Sequence, residues 1–263
     1  MAKKSIDSEN GTWHGIKKFA WCGYDWIARP LWGIRHECEK LIWYDQDAYE
    51  ILADGTLVLK IRENPKEFTN NDGSVTTIPY GRCSVRSVDE FKYGTFEWDM
   101  RLPYGRRLWP SLWFATDSAW PPEIDCMEGD SGDNPKYIKK LIWKDVRPNV
   151  HWSKGCDAKN GEHLSSPCGM PCRFWFKGVG KFDHYKVVWT PDYVDIWYNN
   201  HRFKRFDDRE MLDHFNMVSM HPIMGTAVYN GFTEEMFREY KEKGIEMAVR
   251  NFKYTPYNNG SEK

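Results

Sequence analysis

The amino-acid sequence predicts an all-β protein that folds as an antiparallel β-sandwich. Residues 48–61 hold an Asp-Gly pair between two alternating apolar runs, which is a β-hairpin signal. Residues 94–102 alternate as a half-buried strand does, and residues 185–198 contain two further runs on either side of a Pro-Asp pair. Many short strands separated by turn signals are typical of a sandwich.

The remaining segments add an arm and one helix to this prediction. Residues 1–40 are rich in Trp and Gly but weakly periodic, so we expect an extended N-terminal arm packed on the body. Residues 233–243 predict one short surface helix, with an N-cap at Thr233, acids in the first turn, lysines late and a stop at Gly244. Because no repeat or linker interrupts the chain, residues 1–263 are predicted to form a single domain.

Composition narrows the possible partners. Lys and Arg number 37 against 38 Asp and Glu, so the formal net charge of −1 does not favour nucleic acid. No apolar run approaches the roughly 18 residues of a membrane span, and we expect a monomer with no membrane partner. Aromatic residues make up 16% of the chain; their flat rings suit the apolar faces of sugars, although many will fill the core.

The first 18 residues lack the apolar stretch of an intact secretory signal. Three alternatives follow: a signal has been removed, the protein leaves the cell by another route, or it stays inside. We therefore leave the location open and favour an extracellular or periplasmic one only if a signal was removed. Seven cysteines are an odd number, so at least one is unpaired within the chain.

The segment 120–130, WPPEIDCMEGD, carries three acids that point to catalysis. On a strand Glu123 and Asp125 share a face, whereas Glu128 points to the other side. One extra residue, a β-bulge, brings all three to one face and leaves Ile124, Cys126 and Met127 for the buried side. Two Glu flanking an Asp supply what retaining glycoside hydrolysis needs, although acidic alternation is also common on solvated strands.

These acids resemble the active-site signature of glycoside hydrolase family 16 in its bulged form, E-x-D-x-x-E. Laminarinase-like, agarase-like, porphyranase-like and carrageenase-like members carry that form, whereas lichenase-type members have the shorter E-x-D-x-E. The resemblance covers roughly residues 43–255. Further motifs recur in the family's order: Tyr80-Gly81-Arg82, Phe91, Tyr93-Gly94, Phe96-Glu97, Leu102-Pro103, Gly105, Trp109-Pro110-Ser111-Leu112-Trp113-Phe114, Val150-His151-Trp152, Phe182-Asp183-His184-Tyr185 and Val188-Trp189-Thr190-Pro191-Asp192.

The resemblance implies a concanavalin A-like β-jelly roll with an open substrate cleft, and no cofactor. It also implies that Glu123 is the nucleophile, Glu128 the general acid/base and Asp125 a helper between them. This assignment agrees with our interpretation of the acids. We further expect the charge of Asp125 to keep Glu128 protonated until Glu123 is neutralised, because nearby like charges raise the pKa of a carboxyl.

Six further residues are candidates for substrate binding. Trp109 and Trp113 are four apart and share a strand face, and Trp120 precedes the acids; core packing is the alternative for Trp113. His151 can meet Asp125 or a sugar hydroxyl, or serve as a buried structural histidine. Arg106 and Arg107 lie in the loop before Trp109, where they can meet an anionic sugar or be solvated. We take His184 as structural.

No metal site is predicted. His151, Cys156, His163, Cys168 and Cys172 crowd one segment, but their spacing matches no standard zinc finger, and a disulfide or free thiols are alternatives. Many family members hold a structural calcium partly through an Asp on the last strand. Here Arg250 stands where that acid would be, which makes calcium doubtful.

The predicted function is therefore an endo-acting retaining β-glycosidase that hydrolyses a β-linked glucan or galactan. Two alternatives remain: a lectin-like sandwich of little activity, and a transglycosylase that uses the same residues. We expect residues 62–79 and 153–181 to be loops that select the substrate. Their composition does not identify the sugar or distinguish sulfated from neutral substrates.

Overall fold

The computed structural model describes residues 16–28, 41–70, 72–130, 145–168, 180–229 and 231–258. These residues form two large sheets and one small one. The front sheet has eight antiparallel strands. From one edge to the other they are β1 (Lys18–Trp21), β2 (Tyr24–Ile27), β8 (Ser84–Ser87), β17 (His221–Val228), β10 (Leu108–Ala115), β11 (Glu123–Asp130), β12 (Asp145–Ser153) and β13 (His163–Ser165).

The back sheet has seven antiparallel strands, and a small sheet of three lies beside the two large ones. The back sheet runs β16 (His201–Phe206), β15 (Val194–Tyr198), β14 (Asp183–Trp189), β9 (Gly94–Arg101), β18 (Met247–Thr255), β5 (Leu57–Leu59) and β4 (Tyr49–Ile51). The small sheet runs β3 (Ile42–Tyr44), β7 (Val75–Arg82) and β6 (Ile61–Thr69), with β3 and β7 parallel.

The two-residue period of the strands places the core between the front and back sheets. On β9, Phe96, Trp98 and Met100 are fully buried, while the residues between them face outward. Phe114 of β10 meets the rings of Phe96 and Trp98 edge-on, with ring centroids 4.9 Å and 5.8 Å apart. Many of the aromatic side chains therefore fill the core between the two large sheets.

In the part of the chain that the structure describes, two short α-helices lie outside the sheets, where the sequence predicted one. The predicted helix is α2 (Glu234–Lys241), and the hydroxyl of Thr233 caps it by accepting from the backbone N–H of Met236. The helix that was not predicted is α1 (Arg209–Phe215), capped by Asp208. It has only two turns, so its apolar period was too brief to separate from a loop. Neither described helix has the length and apolar character that crossing a membrane requires.

Other structural expectations are partly confirmed and partly wrong. The hairpin at the Asp-Gly pair is present as β4 and β5, and the Pro-Asp turn joins β14 to β15. Residues 62–79 are not a loop, because most of them belong to the paired strands β6 and β7. The described part of the expected arm, 16–28, is a hairpin that extends the edge of the front sheet, since β2 pairs with β8. The rest of that arm lies outside the described residues.

Candidate active site

A β-bulge on β11 brings the three acids to one face of the front sheet. Against β10, Leu112 pairs with Met127 but Trp113 pairs with Asp125, so Cys126 is the extra residue. Against β12 the register also shifts between Asp125 and Glu128. Ile124, Cys126 and Met127 are fully buried in the core, as the sequence predicted. The side chains of the acids therefore lie on the opposite face of the strand.

The back sheet holds this bulge in place. A bulged residue leaves backbone groups outside the regular ladder, and a buried carbonyl without a partner is costly. The hydroxyl of Tyr198, on β15, donates a hydrogen bond to the backbone carbonyl of Cys126 over 2.5 Å. Tyr198 is itself buried in the core. The irregularity that aligns the acids is thus stabilised across the sandwich.

Two indole N–H groups hold the two glutamates from opposite sides. Trp120 Nε1 donates to Glu123 Oε2 over 2.7 Å, and Trp109 Nε1 donates to Glu128 Oε1 over 3.1 Å. The ring of Trp109 stacks in parallel on Tyr229, with centroids 4.9 Å apart. Trp120 is 48% exposed, although it is hydrogen-bonded to an acid. Both rings are therefore fixed at the acids, and that of Trp120 presents a broad surface to solvent.

A chain of hydrogen bonds determines which nitrogen of His151 carries its proton. The backbone N–H of Val150 donates to Asn149 Oδ1, which fixes the orientation of that amide. Asn149 Nδ2 lies 2.9 Å from His151 Nε2 and can only donate, so Nε2 accepts. The proton is then on His151 Nδ1, 2.8 Å from His163 Nε2. In this pattern of hydrogen bonds Nε2 is the nitrogen with the lone pair, and it is also the ring nitrogen next to the acids.

Burial and mutual repulsion raise the pKa values of all three acids. Burial is the largest cause for each. The charge of Asp125 further raises the pKa of Glu123, and the charge of Glu123 further raises that of Glu128. The pKa of Asp125 is also raised by the charge of Glu128. Because like charges so close oppose full ionisation, each carboxyl of the cluster holds its proton more tightly than an ordinary carboxyl does.

The other predicted binding residues take different positions. Trp113 is half-buried and faces the same side as the acids, since it pairs directly with Asp125. His151 lies 3.3 Å from Asp125 Oδ2 and 3.8 Å from Glu123 Oε1. Arg106 and Arg107 are both half-buried rather than fully solvated. A Cβ added at Gly231 would lie 3.4 Å from Arg107 Cζ, so this guanidinium packs against that glycine.

Several residues of the site were not predicted from the sequence. Arg147 pairs with Glu128 across the β11–β12 ladder, and Asn149 pairs with Asp125. Arg147, Asn149 and His151 alternate in the run VRPNVH, and the two-residue period of a strand places all three on one face. The sequence therefore contained this signal. Tyr229 lies just beyond the end of β17, and no sequence signal connects it with Trp109. His163 was considered only as a zinc ligand, whereas the structure makes it the partner of His151.

The suggested metal clusters take other forms in the described residues. Cys156 contacts the backbone oxygen of Glu210, and neither Cys156 nor Cys168 is paired with another cysteine. Cys172 lies outside the described residues. Arg250 lies 3.6 Å from Asp99 on the back sheet, and its guanidinium stacks over Phe182. His184 bridges Asp99 and Glu97 on that sheet, away from the front-sheet acids.

Comparison with known proteins connects this site with a family. The model described as "Glycosyl hydrolases family 16" matches residues 41–244. A beta-glucanase of Rhodothermus marinus is 26% identical over 173 residues, which cover 62% of this chain and 52% of that protein. The chain thus spans about half the length of this curated relative.

Solved structures have the same architecture at low sequence identity. The laminarinase catalytic domain of Thermotoga maritima matches with a TM-score of 0.58 and 20% identity, covering 84% of each chain. Porphyranase B of Zobellia galactanivorans matches with a TM-score of 0.65 and 15% identity, covering 91% of this chain and 89% of the other. At these identities the likeness concerns the fold, and it identifies the sandwich as a jelly roll.

Proposed function

Because the chain belongs to family 16 of the glycosyl hydrolases, whose model covers residues 41–244, we propose that it cuts β-linked polysaccharides internally with retention of configuration. The observation that carries this function is the bulge, which places Glu123, Asp125 and Glu128 on one face of β11. A β-glucan is the first candidate substrate, since the matched relative is named a beta-glucanase, and a β-galactan is the second.

In the proposed reaction Glu123 attacks the anomeric carbon and Glu128 protonates the leaving oxygen. The bond between the anomeric carbon and the leaving oxygen breaks, and a glycosyl ester forms on Glu123. Glu128 then removes a proton from water, which attacks the same carbon and releases Glu123. Trp120 Nε1 and Trp109 Nε1 hold the two carboxyl groups from opposite sides throughout.

The order of proton transfers follows from the charges at the site. After burial, the charge of Glu123 is the largest cause of the raised pKa of Glu128, rather than the charge of Asp125 that we expected from the sequence. Formation of the glycosyl ester removes the charge of Glu123. The pKa of Glu128 then falls, and the residue that acted as an acid becomes a base for water. Asp125 acts mainly on Glu123.

The cleft surface beside the acids suits sugar rings. Trp120 is half exposed, and its ring lies 4.8 Å from the ring of His163. Trp109 is held flat against Tyr229 on the Glu128 side. Aromatic rings of this kind bind the apolar faces of pyranoses while their polar edges make hydrogen bonds. We place sugar units of the polymer on both sides of the acids, as an internal cut requires.

The stereochemistry of the products tests the roles of the two glutamates. Purified protein is first screened against laminarin, mixed-linkage glucan, agarose, porphyran and carrageenans by reducing-end release. Proton NMR of the first product should show the β-anomer before mutarotation. An α-anomer would mean inversion and would contradict the assignment.

Azide rescue distinguishes nucleophile from acid/base. With Glu123→Ala and an activated substrate, azide should give the α-glycosyl azide by direct attack. With Glu128→Ala it should intercept the glycosyl ester and give the β-glycosyl azide. Identical products from both variants would contradict the roles assigned here.

A further inference from the structure

Three atoms of the kinds that bind zinc lie close together at the site. One carboxylate oxygen each of Glu123 and Asp125, together with a ring nitrogen of His151, lie within 4.8 Å of one another. His151 Nε2 is 3.3 Å from Asp125 Oδ2 and 3.8 Å from Glu123 Oε1. Tetrahedral zinc with bonds of about 2.0–2.1 Å holds its ligand atoms roughly 3.3 Å apart. The His151–Asp125 pair already has that separation, the His151–Glu123 pair has to close by about half an ångström, and the Glu123–Asp125 pair lies within 4.8 Å.

The protonation of His151 prepares it for a metal. Its Nε2 accepts from Asn149, and its Nδ1–H donates to His163 Nε2. A histidine binds a metal through a lone pair and is oriented by a hydrogen bond from its other nitrogen. Here the nitrogen with the lone pair is the one next to the acids, and the second nitrogen is already held by His163. To bind a cation, the ring needs no change of tautomer and only has to give up the hydrogen bond from Asn149.

A second, independent observation points to a cation at the same place. Asp125 is only 2% exposed, yet its Oδ2 has no hydrogen-bond partner among the described residues. That oxygen lies 3.3 Å from His151 Nε2, which is an acceptor in the hydrogen-bond pattern described above. Two acceptors that face each other in a buried site repel unless a proton or a cation lies between them.

From these atoms we infer that Glu123, Asp125 and His151 form a binding site for a divalent cation of the zinc class, which inhibits the enzyme. An imidazole with two carboxylates suits zinc, whereas magnesium and calcium prefer oxygen ligands alone. Three protein ligands leave a fourth tetrahedral position for water. The metal would occupy an oxygen of Glu123, so substrate and zinc exclude each other.

Zinc binding itself is independent of the proposed function, whereas the inhibition rests on it. Binding is measured first, by calorimetry on protein without a histidine tag, with ZnCl₂ as the probe and MgCl₂ for comparison. We expect one zinc per chain and no saturable uptake of magnesium. Co²⁺ in place of Zn²⁺ should give the visible absorption of a tetrahedral site with nitrogen and oxygen ligands. Absence of saturable zinc binding would overturn the inference.

Variants distinguish this site from the cysteine-rich segment. His151→Ala should abolish zinc binding, and circular dichroism checks that the variant is folded. His163 is exposed and is not one of the three ligands. His163→Gln should weaken zinc binding about 10- to 100-fold, because it changes the acceptor that orients the ring of His151. A triple variant, Cys156→Ser, Cys168→Ser and Cys172→Ser, is the matched control and should bind zinc normally. Loss of binding in the triple variant, or normal binding in His151→Ala, would contradict the site.

The inhibition is tested on whichever polysaccharide the protein hydrolyses. Zinc should raise KM without lowering kcat, and excess EDTA should restore the rate fully. An unchanged rate at a zinc concentration that saturates calorimetry would show that the metal lies away from the nucleophile. If no substrate is hydrolysed, the proposed function is wrong. The calorimetric test of zinc binding does not depend on that outcome.

Discussion

Two strands of the molecule carry the same acidic pattern and differ in what surrounds it. The back-sheet strand β9 contains Glu97 and Asp99, and the front-sheet strand β11 contains Glu123 and Asp125, each pair separated by one residue. In both places a histidine lies opposite on the neighbouring strand: His184 pairs with Asp99, as His151 does with Glu123. A register shift lies beside each pair, with the extra residue on the neighbouring strand β18 at the back sheet and on β11 itself at the front sheet.

On the back sheet, partners compensate the charge of the acid. Asn251 Nδ2 donates to Asp99 Oδ2 over 2.7 Å, His184 Nδ1 lies 3.0 Å from Oδ1, and Arg250 lies 3.6 Å away. Burial alone would raise the pKa of Asp99, but these partners outweigh it and lower the pKa. Asp99 is therefore a carboxylate of ordinary reactivity that ties three strands together.

On the front sheet, the acids face one another and are buried more deeply. The side chain of Asp125 is 3% exposed against 23% for Asp99, and its pKa is raised by burial and by the charge of Glu128. The pattern E-x-D is thus common to a structural and a candidate catalytic site. Deep burial of several acids that repel one another, which the charges of His151 and Arg147 offset only in part, raises the pKa values of the front-sheet set.

The largest expected effect compares Glu123→Gln with Glu97→Gln. The first variant loses the proposed nucleophile, so kcat should fall more than about 1,000-fold. The second removes an acid from the same pattern on the opposite sheet, and kcat should stay within about twofold because no substrate reaches it. Reducing-end assays on both proteins, with circular dichroism as a check of folding, measure this. Near-normal turnover by Glu123→Gln would remove Glu123 from the mechanism.

A smaller effect, of opposite sign at the two sites, concerns stability. The pKa of Asp125 is raised in the folded protein, so its ionisation costs stability as the pH rises through the folded pKa. Asp125→Asn should therefore stabilise the protein at neutral pH by about 1 kcal/mol or more. In acid, where Asp125 is protonated, the substitution should not stabilise it. The pKa of Asp99 is lowered in the folded protein, so its charged form stabilises the protein above the unfolded pKa. This stabilisation is lost in acid. Asp99→Asn should therefore destabilise at neutral pH, by less than about 1 kcal/mol after solvent screening.

Thermal unfolding at neutral and acidic pH measures both changes. Equal shifts of Tm for the two variants would show that burial and partners do not separate the sites. Asp125→Asn should in addition hydrolyse slowly rather than not at all, because the residue tunes the protonation of Glu123 and makes no bond to the sugar.

The smallest expected effect isolates one hydrogen bond at the front-sheet site. The indole of Trp109 donates to Glu128 and lowers its pKa, against the larger effect of burial. Trp109→Phe keeps an aromatic ring on Tyr229 but removes this donor, so the alkaline limb of the pH–rate profile should move up by less than about one pH unit. Trp98→Phe is the control, since Trp98 lies in the core, and it should leave that limb unchanged. A downward shift for Trp109→Phe would contradict the role of the indole.

Sequence reasoning succeeded where the pattern is local. The hairpin at the Asp-Gly pair and the capped helix α2 need only neighbouring residues, and both are present. It failed for α1, which has two turns, and for residues 62–79, which form strands β6 and β7 rather than a loop. The alternating positions on β6 are only partly buried, so their apolar period was weak in the sequence.

For the site itself, the sequence alone determined that three acids share a strand face. A period of two and one extra residue suffice for that, because both are properties of a single strand. Only the tertiary structure decided that Tyr198 supports the bulge, that His163 orients His151, and that Trp109 lies against Tyr229. It also decided that burial and mutual repulsion raise the pKa values of these acids, whereas partners that include Arg250 lower that of Asp99. Burial and cross-strand distances arise when residues far apart in the chain are brought together, and a local sequence period carries no record of them.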